Sequence, residues 1–252
     1  MLIDTHVHLD DEKYLGQVDE IVASFPEVGL KCAINVGCDR ASSERSVAFS
    51  EKYPALYATV GIHPHEAEGA TQDDYLWFQK AAQKEKVVAV GEIGLDYHYD
   101  LSPRDVQKKV FVEQLELAHG LRLPEVIHTR EATEDTLKIL KENQRFLQYG
   151  GVIHCFSGSK ESALEYLELG FHIAFGGAVT FKNAKKEDVV RAVPAERLLL
   201  ETDCPYQTPV PFRGKVNLPQ FVRLVKDKIQ EWTDFDVESV TTENAVRLFG
   251  LN

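Results

Sequence analysis

The chain has 252 residues, of which 44% are hydrophobic and 27% charged, and its formal net charge is −12. That length allows one large α/β domain or two small ones, and the composition is ordinary for a globular protein. No apolar run is long enough to cross a bilayer, and the acidic balance repels a polyanion except at a local basic patch or a bound cation.

Four cysteines, Cys32, Cys38, Cys155 and Cys204, are dispersed without a CxxC pair, which suits reduced thiols better than a disulfide framework. No basic segment with an apolar stretch opens the chain. Together these lead us to expect a cytoplasmic protein, with Cys155 and Cys204 as small packing residues.

Leu2 to His8 reads as a strand, and alternation sends His6 and His8 to the same side. Two imidazoles so placed can grip one metal ion, or be two ordinary histidines. Further short apolar runs follow at 30–37, 55–61, 87–92, 124–129, 151–154, 171–176 and 197–203. Helical periodicity fills the intervals at 11–24, 42–53, 72–84, 105–121, 133–144, 160–169 and 185–192. An eighth helix spans 219–231, where Phe221, Leu224, Val225 and Ile229 recur at helical spacing, and 237–249 adds a terminal one.

Eight strand–helix units imply parallel pairing through right-handed crossovers, and so a (β/α)8 TIM barrel with an additional C-terminal helix. A doubly wound open sheet is the alternative, but no glycine-rich fingerprint follows the first strand. With no linker or repeat in view, residues 1–252 are expected to form one domain.

In a barrel, chemistry gathers at the carboxyl ends of the strands. His6 and His8 end strand one, Glu92 strand four, His128 strand five, His154 strand six and Asp203 strand eight. Singly, His154 also suits a hydrogen-bonded core, Glu92 a loop brace and Asp203 a turn. Core packing gives no reason for ligand-type residues to end five strands at one mouth, so the set reads as metal ligands. Six exceed the three protein ligands usual for a lone catalytic zinc and suit two divalent ions, with Glu92 between them. Mixed nitrogen and oxygen donors admit Zn, Mn, Fe or Co, while Mg would prefer the more oxygen-rich half.

The segments Asp4-Thr-His-Val-His8, Val60-Gly-Ile-His-Pro-His65, Val90-Gly-Glu-Ile-Gly-Leu-Asp-Tyr97, Ile127-His-Thr-Arg-Glu-Ala132, Ile153-His-Cys-Phe-Ser-Gly-Ser159 and Leu200-Glu-Thr-Asp-Cys-Pro-Tyr206 resemble those of the TatD family of metal-dependent hydrolases. The likeness runs nearly end to end and in order. It implies a TIM barrel of the amidohydrolase-like superfamily, with His6, His8, Glu92, His128, His154 and Asp203 as metal ligands. It also implies a deoxyribonuclease that cleaves phosphodiester bonds of single-stranded DNA or 3′ ends with a metal-bound hydroxide; from the sequence we infer no obligate protein partner. His63 and His65 correspond to a family element that meets the substrate phosphate.

Other roles follow from placement. Glu201, two residues before Asp203, is expected to orient ligands or a water, and Asp203 to accept the proton of the attacking water. Arg130 and Arg213 can bind phosphate, or remain solvated surface charges. Tyr97 and Tyr99 can stack on an unpaired base, or pack the barrel rim. The sequence departs from the family at Val216 and Leu218, where basic and polar residues are common, at Gln207, usually apolar, and at Glu125, usually aliphatic. The same ligands would serve a metal-dependent ester or amide hydrolase, such as an aminoacyl-tRNA deacylase, and a coordinatively closed site would make a scaffold instead.

Overall fold

In the computed structural model, which describes residues 1–252, eight strands alternate with helices. They are β1 (Leu2–Val7), β2 (Leu30–Asn35), β3 (Leu56–Val60), β4 (Val87–Asp96), β5 (Glu125–Arg130), β6 (Gly151–Ile153), β7 (Phe171–Phe175) and β8 (Leu198–Leu200). The helices are α1 (Val18–Ala23), α2 (Arg40–Lys52), α3 (Gln72–Ala81), α4 (Arg104–Leu121), α5 (Thr133–Glu142), α6 (Lys160–Glu168), α7 (Glu187–Ala192), α8 (Val222–Gln230) and α9 (Val237–Phe249). All neighbouring strands pair in parallel, in sequence order. The (β/α)8 barrel expected from the alternation is therefore present, and the open-sheet alternative is not.

The barrel closes where the end of β8 meets β1. Asp203 N donates to the His6 carbonyl at 3.0 Å and His8 N to the Cys204 carbonyl at 2.8 Å. Asp4 stitches the seam by accepting the Thr202 N–H and hydroxyl at 2.9 and 2.6 Å. Because Thr202 turns to Asp4, regular pairing of β8 ends at Leu200, earlier than the run to Asp203 suggests.

Two apolar layers hold the barrel. The larger lies between sheet and helices and includes Leu2, Val7, Val90, Ile93, Ile127, Ile153 and Leu200. The smaller fills the barrel with Ile3, Ile34, Val88, Val126, Val152, Ala174 and Leu199. Ala245 and Phe249 of α9, with Leu251, join this inner layer, so the terminal helix plugs the base.

Strict alternation would defeat the site. Leu2 and Val7 both belong to the outer layer although five residues separate them, an odd interval that should place them on opposite faces. A register shift resolves this: Asp4 pairs Ala33 and Val7 pairs Asn35, three steps against two. The bulge reverses the phase of the strand, so His6 and His8 point inward beyond it. A second shift between Gly91 and Ile93 does the same for Glu92. Strand β4 then runs on to Asp96, four residues past the expected end, so Glu92 and Asp96 both face the mouth.

One expected helix differs. The 11–24 stretch divides into a 3-10 turn at Glu12–Tyr14 and the short α1. Gly16 between them adopts φ +77, a left-handed conformation that ends a helix, while Tyr14 turns inward to donate to the Asn217 carbonyl at 2.5 Å.

Candidate metal centre

Six residues named from sequence meet at the carboxyl ends of the strands. His6 Nε2 lies 3.1 Å from His8 Nε2 and 3.3 Å from Glu92 Oε2, and His8 Nε2 lies 3.5 Å from Asp203 Oδ1. On the other side of the same carboxylate, Glu92 Oε1 lies 2.8 Å from both His128 Nδ1 and His154 Nε2, which are 3.3 Å apart. Donor atoms bound to one ion at 2.0–2.1 Å sit about 3.3 Å apart in tetrahedral geometry. The spacings therefore fit a metal on each side, and Glu92 faces one donor set with each oxygen.

Neighbouring groups fix which nitrogen each ring presents. His8 Nδ1 sits 3.2 Å from the Val36 carbonyl, which accepts its proton and leaves Nε2 as the lone pair. His128 Nε2 lies 2.9 Å from Asp96 Oδ2, turning Nδ1 toward Glu92. His154 Nδ1 is 3.5 Å from Glu201 Oε1, at ion-pair range without hydrogen-bond alignment. Glu201 Oε1 also accepts the Cys155 N–H, so Glu201 braces His154 from behind. Gly94 clears the strand pair, since a Cβ there would strike the His128 carbonyl.

His63 is arranged differently. The backbone N–H of His65 donates to its Nδ1 at 3.1 Å, so the neutral ring carries its proton on Nε2, 3.5 Å from Glu92 Oε1. Burial holds the His63 pKa well below its usual value, reinforced by His128, His65 and His154 against the pull of Glu92. Its Nε2 is thus a proton donor beside the second donor set. His65 Nε2 sits 3.1 Å from Asp96 Oδ2, again without hydrogen-bond alignment.

The acids are set up as anions. Burial alone would push the Glu92 carboxyl up, yet His154, His63, His6 and His128 hold it well below the usual range. Burial likewise opposes ionisation of Asp203, but the bond to His8 and the charges of His154 and His6 lower its pKa. Burial disfavours charge on His128 and His154 too, yet their carboxylate partners raise both: Asp96 and Glu92 for His128, Glu92 and Glu201 for His154. A compact anionic pair enclosed by imidazoles suits a dication, which would take the place of those shared protons.

The substrate-contact residues named from sequence are less gathered. Tyr97 is not at the mouth: its hydroxyl donates to Asp135 at 2.6 Å and the Arg104 guanidinium covers its ring at 4.2 Å. Tyr99 takes the open position, 56% exposed, with its ring edge-on to His65 at 5.4 Å and the Arg130 guanidinium 4.8 Å over it. Across the mouth Tyr206 is 47% exposed and edge-on to His8 at 6.1 Å. Exposed Arg213 stacks on Phe181 at 3.7 Å, at the rim of a cavity beside the centre.

Three residues at the centre escaped the sequence reasoning as site members. Asp96 orients His128, as described. Cys38 Sγ lies 3.8 Å from His8 Nδ1 and 3.9 Å from Glu92 Oε2. Gln207 donates to Asp203 Oδ2 at 3.1 Å and sits 2.9 Å from Cys155 Sγ. A period-two reading of β4 onward from Glu92 would find Asp96; Gln207 is marked only as a departure from the family pattern, with no local sign of what it contacts.

A family model described as TatD related DNase matches residues 3–250. The chain belongs to the TatD family. It is 46% identical to the uncharacterized metal-dependent hydrolase YabD of Bacillus subtilis, with all of both chains covered. It is 37% identical to the uncharacterized metal-dependent hydrolase YcfH of Escherichia coli, covering 100% of this chain and 96% of the relative. The crystal structure of YJJV, a TatD homologue from Escherichia coli, superposes with a TM-score of 0.93 at 32% identity, covering 100% of this chain and 98% of that one. This TatD protein is accordingly a metal-dependent hydrolase. No helix in it is long and apolar enough to span a membrane.

Proposed function

We propose that this TatD protein holds two divalent ions across Glu92 and hydrolyses phosphodiester bonds of DNA, as a single-strand or 3′-end deoxyribonuclease. The observation that carries this reading is the division of Glu92, whose Oε2 faces His6 and His8 while Oε1 faces His128 and His154. Nitrogen-rich donor sets favour Zn, Mn, Fe or Co over Mg. Bound there, a pair of ions would supply an activated water and neutralise charge developing on the phosphoryl group.

The chain's own residues do the rest. Asp203 holds one ligand oxygen toward His6 and His8 and takes the proton released by the attacking water. Glu201 keeps the His154 ring in place. His63 donates its Nε2–H to a phosphate oxygen, and Arg130 and Arg213 supply flanking positive charge. Tyr99 and Tyr206 are more exposed than Tyr97. Although Arg130 covers one face of Tyr99 and Lys13 one face of Tyr206, each keeps an opposite face for stacking on an unpaired base. The four unpaired cysteines support a reducing compartment, the cytoplasm.

A second reading, hydrolysis of an ester or amide such as an aminoacyl-tRNA ester, draws on one feature. A 290 Å³ cavity lined by Phe156, Phe175, Val179 and Phe181 opens beside Cys155 and Gln207, and an apolar acyl or aminoacyl group would fit it. One panel separates the readings: metal-loaded protein against single-stranded and duplex oligonucleotides labelled at either end, alongside aminoacyl and simple esters. Chelator-sensitive shortening of single strands from the 3′ end is expected. Intact DNA with turnover of the esters would replace the first reading by the second.

A further inference from the structure

The base of the barrel carries a second polar cavity, far from the metal centre. It measures 350 Å³ and is lined by Gly150, Gly170, His172, Arg197, Arg247 and Leu248 among others. Gly150 precedes β6, His172 is the second residue of β7, Arg197 precedes β8 and Arg247 lies in the last turn of α9. All of these are at the amino ends of the strands, opposite the mouth.

Three features of this cavity ask for an anion. First, His172 is only 5% exposed, and its ring nitrogens lie near the Gly151 and Glu196 carbonyls without a well-formed hydrogen bond to either, although buried polar atoms almost always find one. Second, two guanidiniums reach the cavity from different elements. Their protein partners are neutral: Arg197 donates to the Gly170 carbonyl, and Arg247 to the Glu196 carbonyl and the Asn244 amide oxygen. Each retains free donors in its planar fork. Third, these are uncompensated cations in a chain of net charge −12, where carboxylates for surface pairing are plentiful. His172 itself registers the field, since burial, then Arg197 and Arg247, push its pKa down to about 4, against the carbonyls of Gly151 and Glu196.

We propose that this cavity binds a phosphate group, with Arg197, Arg247 and His172 as its donors. Donors carried into one cavity by separate elements suit a tetrahedral oxyanion, whose oxygens point in several directions, better than a planar carboxylate. The volume exceeds that of phosphate alone and leaves room for a sugar-sized substituent, so the occupant is either free phosphate or the phosphate of a monoester. Binding ties α9 to the turns before β7 and β8 and so reinforces the plug at the base. The site is independent of the metal centre and of the reaction assigned there.

The test is a titration of the metal-loaded, ¹⁵N-labelled protein with inorganic phosphate and, separately, with adenosine 5′-monophosphate. Saturable shifts are expected in the amides of Gly150, Gly170 and Arg197, with a Kd of about 1 mM or tighter for the better ligand. Tighter binding of the nucleotide identifies an ester's phosphate, and equal binding identifies free phosphate; either upholds the site. The R197Q/R247Q double variant should weaken these shifts at least tenfold while keeping hydrolytic activity, because neither residue approaches the centre. If that variant fails to fold, H172F, which fills the cavity with an apolar ring, should weaken them likewise. Shifts confined to the surroundings of Glu92, or undiminished binding in these variants, would overturn the proposal.

Discussion

Gln207 donates its side-chain amide to Asp203 Oδ2 at 3.1 Å, leaving Oδ1 turned toward His6 and His8 at 3.8 and 3.5 Å. Asp203 itself sits at φ +58, so its backbone aims the carboxylate and Gln207 holds it there. The departure from the family pattern expected at Gln207 is thus tied directly to a candidate ligand.

Replacing that amide by an apolar side chain should therefore cost chemistry more than binding. For Q207L we expect kcat to fall about tenfold, the loss of one charge-assisted hydrogen bond, with KM and melting temperature little changed. Steady-state kinetics beside a thermal melt check this. Unaltered kcat would make Gln207 a bystander.

Glu125 is a second departure, with a different consequence. It lies in β5, fully buried, and neither carboxyl oxygen has a partner. Burial pushes its pKa well above the usual value with no cation to oppose it. Gly151 leaves the room its carboxyl occupies, since a Cβ there would fall 2.9 Å from Glu125 Oε2. The folded state keeps Glu125 protonated at pH values where the unfolded chain releases the proton. Its contribution is present below about pH 4.5 and is lost as pH rises toward the raised folded value. E125L should then stabilise the protein by about 1–3 kcal/mol near neutral pH, with a smaller gain at pH 4. Urea melts at the two pH values decide it; a destabilised E125L at pH 7 would mean that the carboxyl has a partner there.

The loop after β4 presents one tyrosine and buries the use of another. Y99A should raise KM for single-stranded DNA about five-fold or more, at about 1–3 kcal/mol per lost stacking contact. Y97F should leave KM alone and lower stability by about 1 kcal/mol through the bond to Asp135. Reversal of the two effects in parallel kinetics and melts would restore Tyr97 to the substrate path.

Much of this architecture was legible because five of the eight apolar runs end in a residue with no place in a core. His128 and His154 stand out in that way, and their convergence needs only the rule that parallel barrels collect strand ends. The bulges were not legible. Whether His6 faces inward depends on one extra residue between Asp4 and Val7, a shift set by pairing with β2 and absent from any local pattern. The same limit hides Asp96, because the apolar run ends at Glu92 while β4 continues to Asp96. Tyr97 and Tyr99 share a face by alternation, and only the position of α5, which brings Asp135 to the Tyr97 hydroxyl, separates their roles. Gln207 acts on a neighbour four residues back through the left-handed turn at Asp203, a geometry that composition does not announce.

The central claim is that Glu92 joins two ions. Anomalous diffraction from crystals of the metal-loaded protein, collected above and below the absorption edge of the bound metal, tests it most directly. Two peaks are expected, one within bonding distance of Glu92 Oε2 with His6 and His8, the other within bonding distance of Oε1 with His128 and His154. A single fully occupied peak, or two peaks with Glu92 bound to neither, would contradict the account.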